Sequence, residues 1–170
     1  SLTLSGAVTG SAIEKTGTGR LDLLNPSNTF SSLALNGGSV RIASQGSLGG
    51  TTSLAIDKGE VLEFDGNMTI SPSLALTLED GALRSISGTT TINAPIQVRT
   101  GQGVTFGGAG DMVVNTAFGN AGTVNALKHY GYHANSDSAL LDLNNNGGVL
   151  STGDPRNGTS FYAWTLLTDG

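Results

Sequence analysis

The sequence predicts an all-β chain wound as a parallel β-solenoid of about five to six coils, with an aromatic-rich C-terminal cap. Three observations carry that reading. Glycine fills 26 of 170 positions and charged residues only 12%, which supplies turns and leaves too few of the usual helix formers for long helices. A unit of about 20 residues recurs five times. Within each unit apolar residues alternate with polar ones, the period of a strand with one buried face.

The five units share a short alternating run, a glycine, and a second short run. The first is Ile13 to Leu23 and the second Leu33 to Ile42. The third is Leu54 to Phe64, the fourth Leu76 to Arg84 and the fifth Ile96 to Phe106. The anchor glycines are Gly19, Gly38, Gly59, Gly81 and Gly101. Each lies between two runs, where a positive φ turns a corner. A unit this short cannot bury its own apolar row, so it must stack on its neighbours. Stacking predicts one shared interior for Leu33, Leu35, Leu54, Ile56, Leu76, Leu78, Ile96 and Val98. It also sets Lys58 over Asp80 and Glu79 over Arg99, with Asp57 over Glu79 as a like-charge mismatch. A hairpin-built β-sandwich also gives short, evenly spaced strands, but it does not require aligned positions to stay equivalent over five units.

The pattern ends near Ala126. Residues 1–125 form the repeat region and residues 126–170 a capping or small accessory segment. The second part holds both histidines, all three tyrosines and the one tryptophan. Open solenoid ends expose unpaired strand edges, so Tyr130, Tyr132, Phe161, Tyr162 and Trp164 are expected to cover the last coil.

Composition excludes several classes. There is no cysteine, hence no disulfide frame, thiol nucleophile or Cys-ligated zinc. A net charge of −5 with eight scattered Lys and Arg argues against nucleic acid and anionic membrane surfaces. No apolar run is long enough to span a bilayer, and no signal segment opens the chain. The start inside a repeat reads as a mature piece or an excised fragment.

Four sets of residues resemble chemistry and are better read as structure. Asp57, Glu60, Glu63, Asp65, Glu79 and Asp80 fall on adjacent coils. A carboxylate pair there would suit a glycosidase, but the regular placement with Lys58 and Arg99 interleaved reads as a solvated face. Asp142 to Val149 copies the opening of a calcium loop, yet its twelfth place is Gly153 rather than an acid, with Asp154 one later. His129 and His133 are four apart, but Gly131 between them argues for a strand or loop that separates them. Gly101 to Gly103 and Gly107 to Gly110 lack the following Gly-Lys-Ser/Thr of a phosphate loop and read as corners. No catalytic residue, metal ligand or cofactor site is assigned. Asn67-Met68-Thr69 and Asn157-Gly158-Thr159 are glycosylation sequons by pattern only.

The stretch Lys15-Thr16-Gly17-Thr18-Gly19-Arg20-Leu21-Asp22-Leu23 has the form Lys-x-Gly-x-Gly-x-Leu-x-Leu. With Leu2 to Gly6, Asn28-Thr29-Phe30 and Gly38 to Ile42, it resembles the autotransporter-associated β-strand repeat. The likeness is good over residues 2–66, loose to about 115 and absent after 126. It implies a right-handed parallel β-helix in the exported passenger of a surface protein, typically of Gram-negative bacteria, with no catalytic residues. These 170 residues contain no outer-membrane barrel, so the barrel of a type V secretion route would lie outside this chain, and the aromatic tail is not part of the family pattern. The expected role is a non-enzymatic structural or adhesive segment, secreted or on the outer membrane exterior. Its partners would be another protein, a cell-surface glycan, or copies of itself end to end or side by side. A carbohydrate-active β-helix and a lectin-like module are the alternatives.

Overall fold

The computed structural model describes residues 1–99 and 103–115, together with strand segments 118–119, 123–126 and 141–143. The chain winds as a β-solenoid with three strand-bearing sides. The long side carries β1 (Leu2–Leu4), β3 (Arg20–Leu23), β5 (Gly38–Ile42), β7 (Glu60–Asp65), β10 (Gly81–Ser87), β13 (Gly103–Gly108) and β16 (Thr123–Ala126), in that order. A second side carries the pair β2 (Ala12–Thr16) and β4 (Ser32–Asn36), then β6 (Ser53–Asp57), β9 (Ala75–Glu79), β12 (Ile96–Val98) and β15 (Phe118–Gly119). The third side carries β8 (Met68–Ile70), β11 (Thr89–Ile92), β14 (Asp111–Val114) and β17 (Leu141–Leu143). All strand ladders among the described residues are parallel. Parallel neighbours one coil apart follow directly from a chain that returns to the same side after each turn.

The period-two alternation holds the interior in rows. On the long side Leu2, Leu21, Val40, Leu62, Leu83 and Phe106 stand over one another, all buried except Leu2, which is exposed at the stack end. On the second side the rows are Leu54, Leu76, Ile96 and Ile56, Leu78, Val98. These six, with Leu33 and Leu35, are all buried, so the expected interior is observed. In the first two coils no strand forms the third side. Residues 24–31 and a short 3₁₀ turn (Gln45–Leu48) take its place, and the buried Phe30 and Leu48 fill the core there. Further along, buried Thr90 stands between Met68 and Met112. Its hydroxyl lies 3.3 Å from that of the buried Ser85, which keeps two interior polar groups partnered.

The corner glycines correct the expected alignment. Gly38 stands opposite Glu60 rather than Gly59, and Gly81 opposite Val104 rather than Gly101. The corner between the second and long sides varies in length. It holds Gly17 to Gly19, then Gly37, then Lys58-Gly59, then Asp80. Successive partners in the long-side row lie 19, 19, 22, 21, 23 and 20 residues apart; the corner of Gly17 to Gly19 and the corner at Gly37 both go with 19, so the connections on the other sides vary in length as well. Nor does every anchor glycine supply the left-handed turn. In the fourth coil Asp80 adopts φ 61°, and Gly81 is small for another reason: a Cβ there would lie 2.6 Å from Ile56 Cγ2.

The expected cap falls on residues 126–170. Apart from the backbone of Ala126 and of β17, which extends the third side beyond β14, that segment, with its five aromatics, lies outside the described residues.

The two glycines of the first signature and its neighbour give a test. Gly38 has φ +71°, and a Cβ on it would lie 2.7 Å from the Gly17 carbonyl oxygen. Gly19 has ordinary φ and nothing within 4 Å of such a Cβ. Gly38→Ala is expected to cost about 2–4 kcal/mol, combining left-handed strain and overpacking. Gly19→Ala should stay within about 0.5 kcal/mol. Urea unfolding of both variants checks the contrast.

Candidate functional site

The outward row of the long side is charged and alternates in sign. Thr3, Asp22, Arg41, Glu63 and Arg84 stand one over the next. Alternate positions on one strand face the same way, which brings Arg20 beside Asp22 and Asp65 beside Glu63. Three guanidiniums thus meet three carboxylates.

Asp22 Oδ1 lies 2.8 Å from Arg20 Nε and 3.2 Å from Arg41 Nε, while its Oδ2 accepts a hydrogen bond of 3.1 Å from the Thr3 hydroxyl. Glu63 Oε1 accepts a 3.2 Å bond from Arg84 Nη1, and its Oε2 is 3.8 Å from Arg20 Nη1. Arg41 Nη1 reaches Asp65 Oδ2 at 3.1 Å, and Asp65 Oδ1 accepts 2.7 Å from the Ser87 hydroxyl. The Nε contacts to Asp22 lack hydrogen-bond alignment, so the attraction there is coulombic rather than directional. The strip runs from Thr3 in β1 to Ser87 in β10, and Arg20 reaches past the intervening coil to Glu63.

Two of the three carboxylates lie beneath the arginines, while Asp65 is 31% exposed beside an Arg41 that is 22% exposed. Side chains of Asp22 and Glu63 are 4% and 6% exposed, against 39% and 46% for Arg20 and Arg84. The long aliphatic stems of arginine cover the sheet while their heads stay wet. The expectation of a solvated acidic face therefore holds for Asp57 and Asp80, which are exposed, and fails for Glu63 and Glu60. Glu60 occupies an inward-facing corner position and is 7% exposed. Its Oε2 accepts the Asp57 backbone N–H at 2.8 Å, closing the two-residue corner. Glu79 pairs with Arg99 Nη1 at 2.5 Å as the stacking requires, and Asp57 stands opposite Glu79.

No cluster of three or more acidic or histidine side chains among the described residues is arranged to hold a metal ion. Of the calcium-like loop, Asp142 and Leu143 belong to β17 and the rest lies outside the described residues, as do His129 and His133. Gly107 and Gly108 end β13, and the bend Ala109-Gly110 leads into β14, so this glycine run is a corner. Thr100 to Gln102 fall outside the described residues. A cavity of about 440 Å³ opens at the N-terminal end of the coil stack, lined mainly by Leu2, Leu4, Ile13 and Leu21. Its one carboxylate, Glu14, accepts a hydrogen bond from Asn36 at 2.8 Å. The cavity therefore offers no carboxylate pair.

The ionic strip escaped a reading anchored on glycines. It becomes visible when second runs are aligned by their inward residues, Leu21, Val40, Leu62 and Leu83, because the next residue then reads Asp, Arg, Glu, Arg. No protein-family model, curated protein or solved structure matches the chain. No helix among the described residues is long and apolar enough to cross a membrane.

The two kinds of ion pair should differ in weight. Arg41→Met leaves a nearly buried carboxylate under-compensated and is expected to cost about 1–3 kcal/mol. Arg99→Met removes a pair whose arginine is 65% exposed and should cost less than about 1 kcal/mol. Chemical denaturation of both variants at low and high salt measures the difference, and only the Arg99 contribution should vanish in salt.

Proposed function

We propose that this chain is a rigid, non-enzymatic segment of a secreted or cell-surface protein, serving as a spacer or as a side-on partner surface. The observation that carries the reading is the unbroken parallel ladder of the long side, strapped externally by neutralised charge. Such a stack transmits its stiffness through nearest-neighbour coils. Its buried acids on the long side are engaged by arginines, a hydroxyl and, at Glu60, a backbone N–H rather than held free for acid–base work. The Lys-x-Gly-x-Gly-x-Leu-x-Leu likeness to autotransporter passenger repeats supports an exported setting. An outside glycan or protein is the partner such a surface would meet.

A spacer tolerates loss of whole coils, provided the charge alternation survives. Deleting residues 62–82 removes one coil but sets Arg84 over Arg41. Deleting residues 40–82 removes two coils and sets Arg84 over Asp22. The two-coil deletion is expected to fold cooperatively with a rod shorter by about 10 Å, at about 4.8 Å per coil. The one-coil deletion sets like charges face to face, so adding Arg84→Glu to it is expected to raise its stability by about 0.2–1 kcal/mol. Circular dichroism melts and small-angle scattering read both. A polysaccharide panel run on the intact chain supplies the opposing result: turnover with released reducing ends would overturn the non-enzymatic reading in favour of a carbohydrate-active β-helix.

A further inference from the structure

Lys15 occupies an inward position of β2, opposite Leu35, where the chain elsewhere places leucine, isoleucine or valine. The residue is 8% exposed. Its ammonium has three N–H donors and meets three backbone carbonyls. Nζ donates to Thr16 O at 2.9 Å, Gly17 O at 2.7 Å and Gly37 O at 2.8 Å. One carbonyl ends β2, one belongs to the first corner and one to the next corner, so the group ties adjacent coils together. Gly17 and Gly37 have φ 73° and 128°, and their left-handed backbone goes with carbonyls that meet at one point.

We propose that this corner is a carbonyl-built site for a small hydrogen-bonding cation of the ammonium class, which Lys15 fills with its own side chain. The distances are those of charge-assisted N–H···O bonds, and converging carbonyls replace the hydration shell of a small cation. The second supporting feature is access. The open cavity at the N-terminal end is lined by Lys15, Thr16 and Gly19 among others, so shortening the side chain opens a path from solvent to the carbonyls. Ammonium and methylammonium keep donors for all three oxygens. Tetramethylammonium has no N–H, and sodium, a smaller ion, needs oxygens closer than the 2.7–2.9 Å at which they surround Nζ.

Lys15→Ala leaves the backbone carbonyls in place and removes their partner. Its melting temperature is expected to fall below that of the wild type and to rise saturably with ammonium or methylammonium chloride, as ligand linkage requires. Sodium and tetramethylammonium chloride at the same ionic strength should leave it low, and the wild type should not respond selectively to ammonium. An alanine variant that melts like the wild type, or that responds equally to ammonium and sodium, would overturn the proposal. Should Lys15→Ala fail to fold in either salt, Lys15→Met decides. It keeps the apolar stem without the charge, so wild-type stability in this variant overturns the site and a lowered melting temperature supports it.

Discussion

Equivalent residues of successive coils stand over one another at the strand spacing, and the other features of the molecule follow from that register. A row of Leu, Val and Phe on the inside of the long side is buried only because its neighbours above and below carry the same kind of side chain. On the long side the backbone groups of each inner strand are satisfied by the coils on either side, which is why units too short to fold alone are stable in series. The corners are free to vary from one to three residues because they lie outside the ladders. Most of the variation accumulates there; within the long-side ladder β10 carries one register shift against β7, between Ser85 and Ser87.

The outside obeys the same constraint in charge instead of apolarity. One coil step brings side chains of adjacent strands within reach of each other, so a row must alternate in sign or stay neutral. Asp22, Arg41, Glu63 and Arg84 alternate, and the arginine stems then cover the acids between them. The Asp57–Glu79 opposition is the local exception, and it is relieved where Arg99 meets Glu79 at the next level. The inner face has its own exception in Lys15, a charge in an apolar row, made tolerable by three carbonyls.

Alternation within each run made the interior legible in the sequence. Leu54, Leu76 and Ile96 could be stacked from their parity alone. The corner glycines were a poorer guide, because a glycine serves two separate needs: left-handed backbone at Gly38 and Gly59, close approach of a neighbouring strand at Gly81. Asp80 meets the first need without being glycine. The ionic strip was hidden for the same reason, since a slip of one residue at the third corner misaligns Glu63 with its arginine neighbours. Burial of Glu63 was not readable at all from sequence, because it depends on where two arginine stems lie. The role of Lys15 was present only as a parity violation within the Lys-x-Gly-x-Gly signature.

One continuous ladder runs through the coils on the long side. Amide hydrogen exchange tests it most directly, because protection reports the opening free energy strand by strand. Among the described residues slow exchange is expected without a break through β5, β7 and β10 on the long side and through β6 and β9 on the second, with faster exchange at the corners and at β1 and β2 at the stack end. A boundary inside the stack, with β5 protected and β7 exchanging freely, would contradict it.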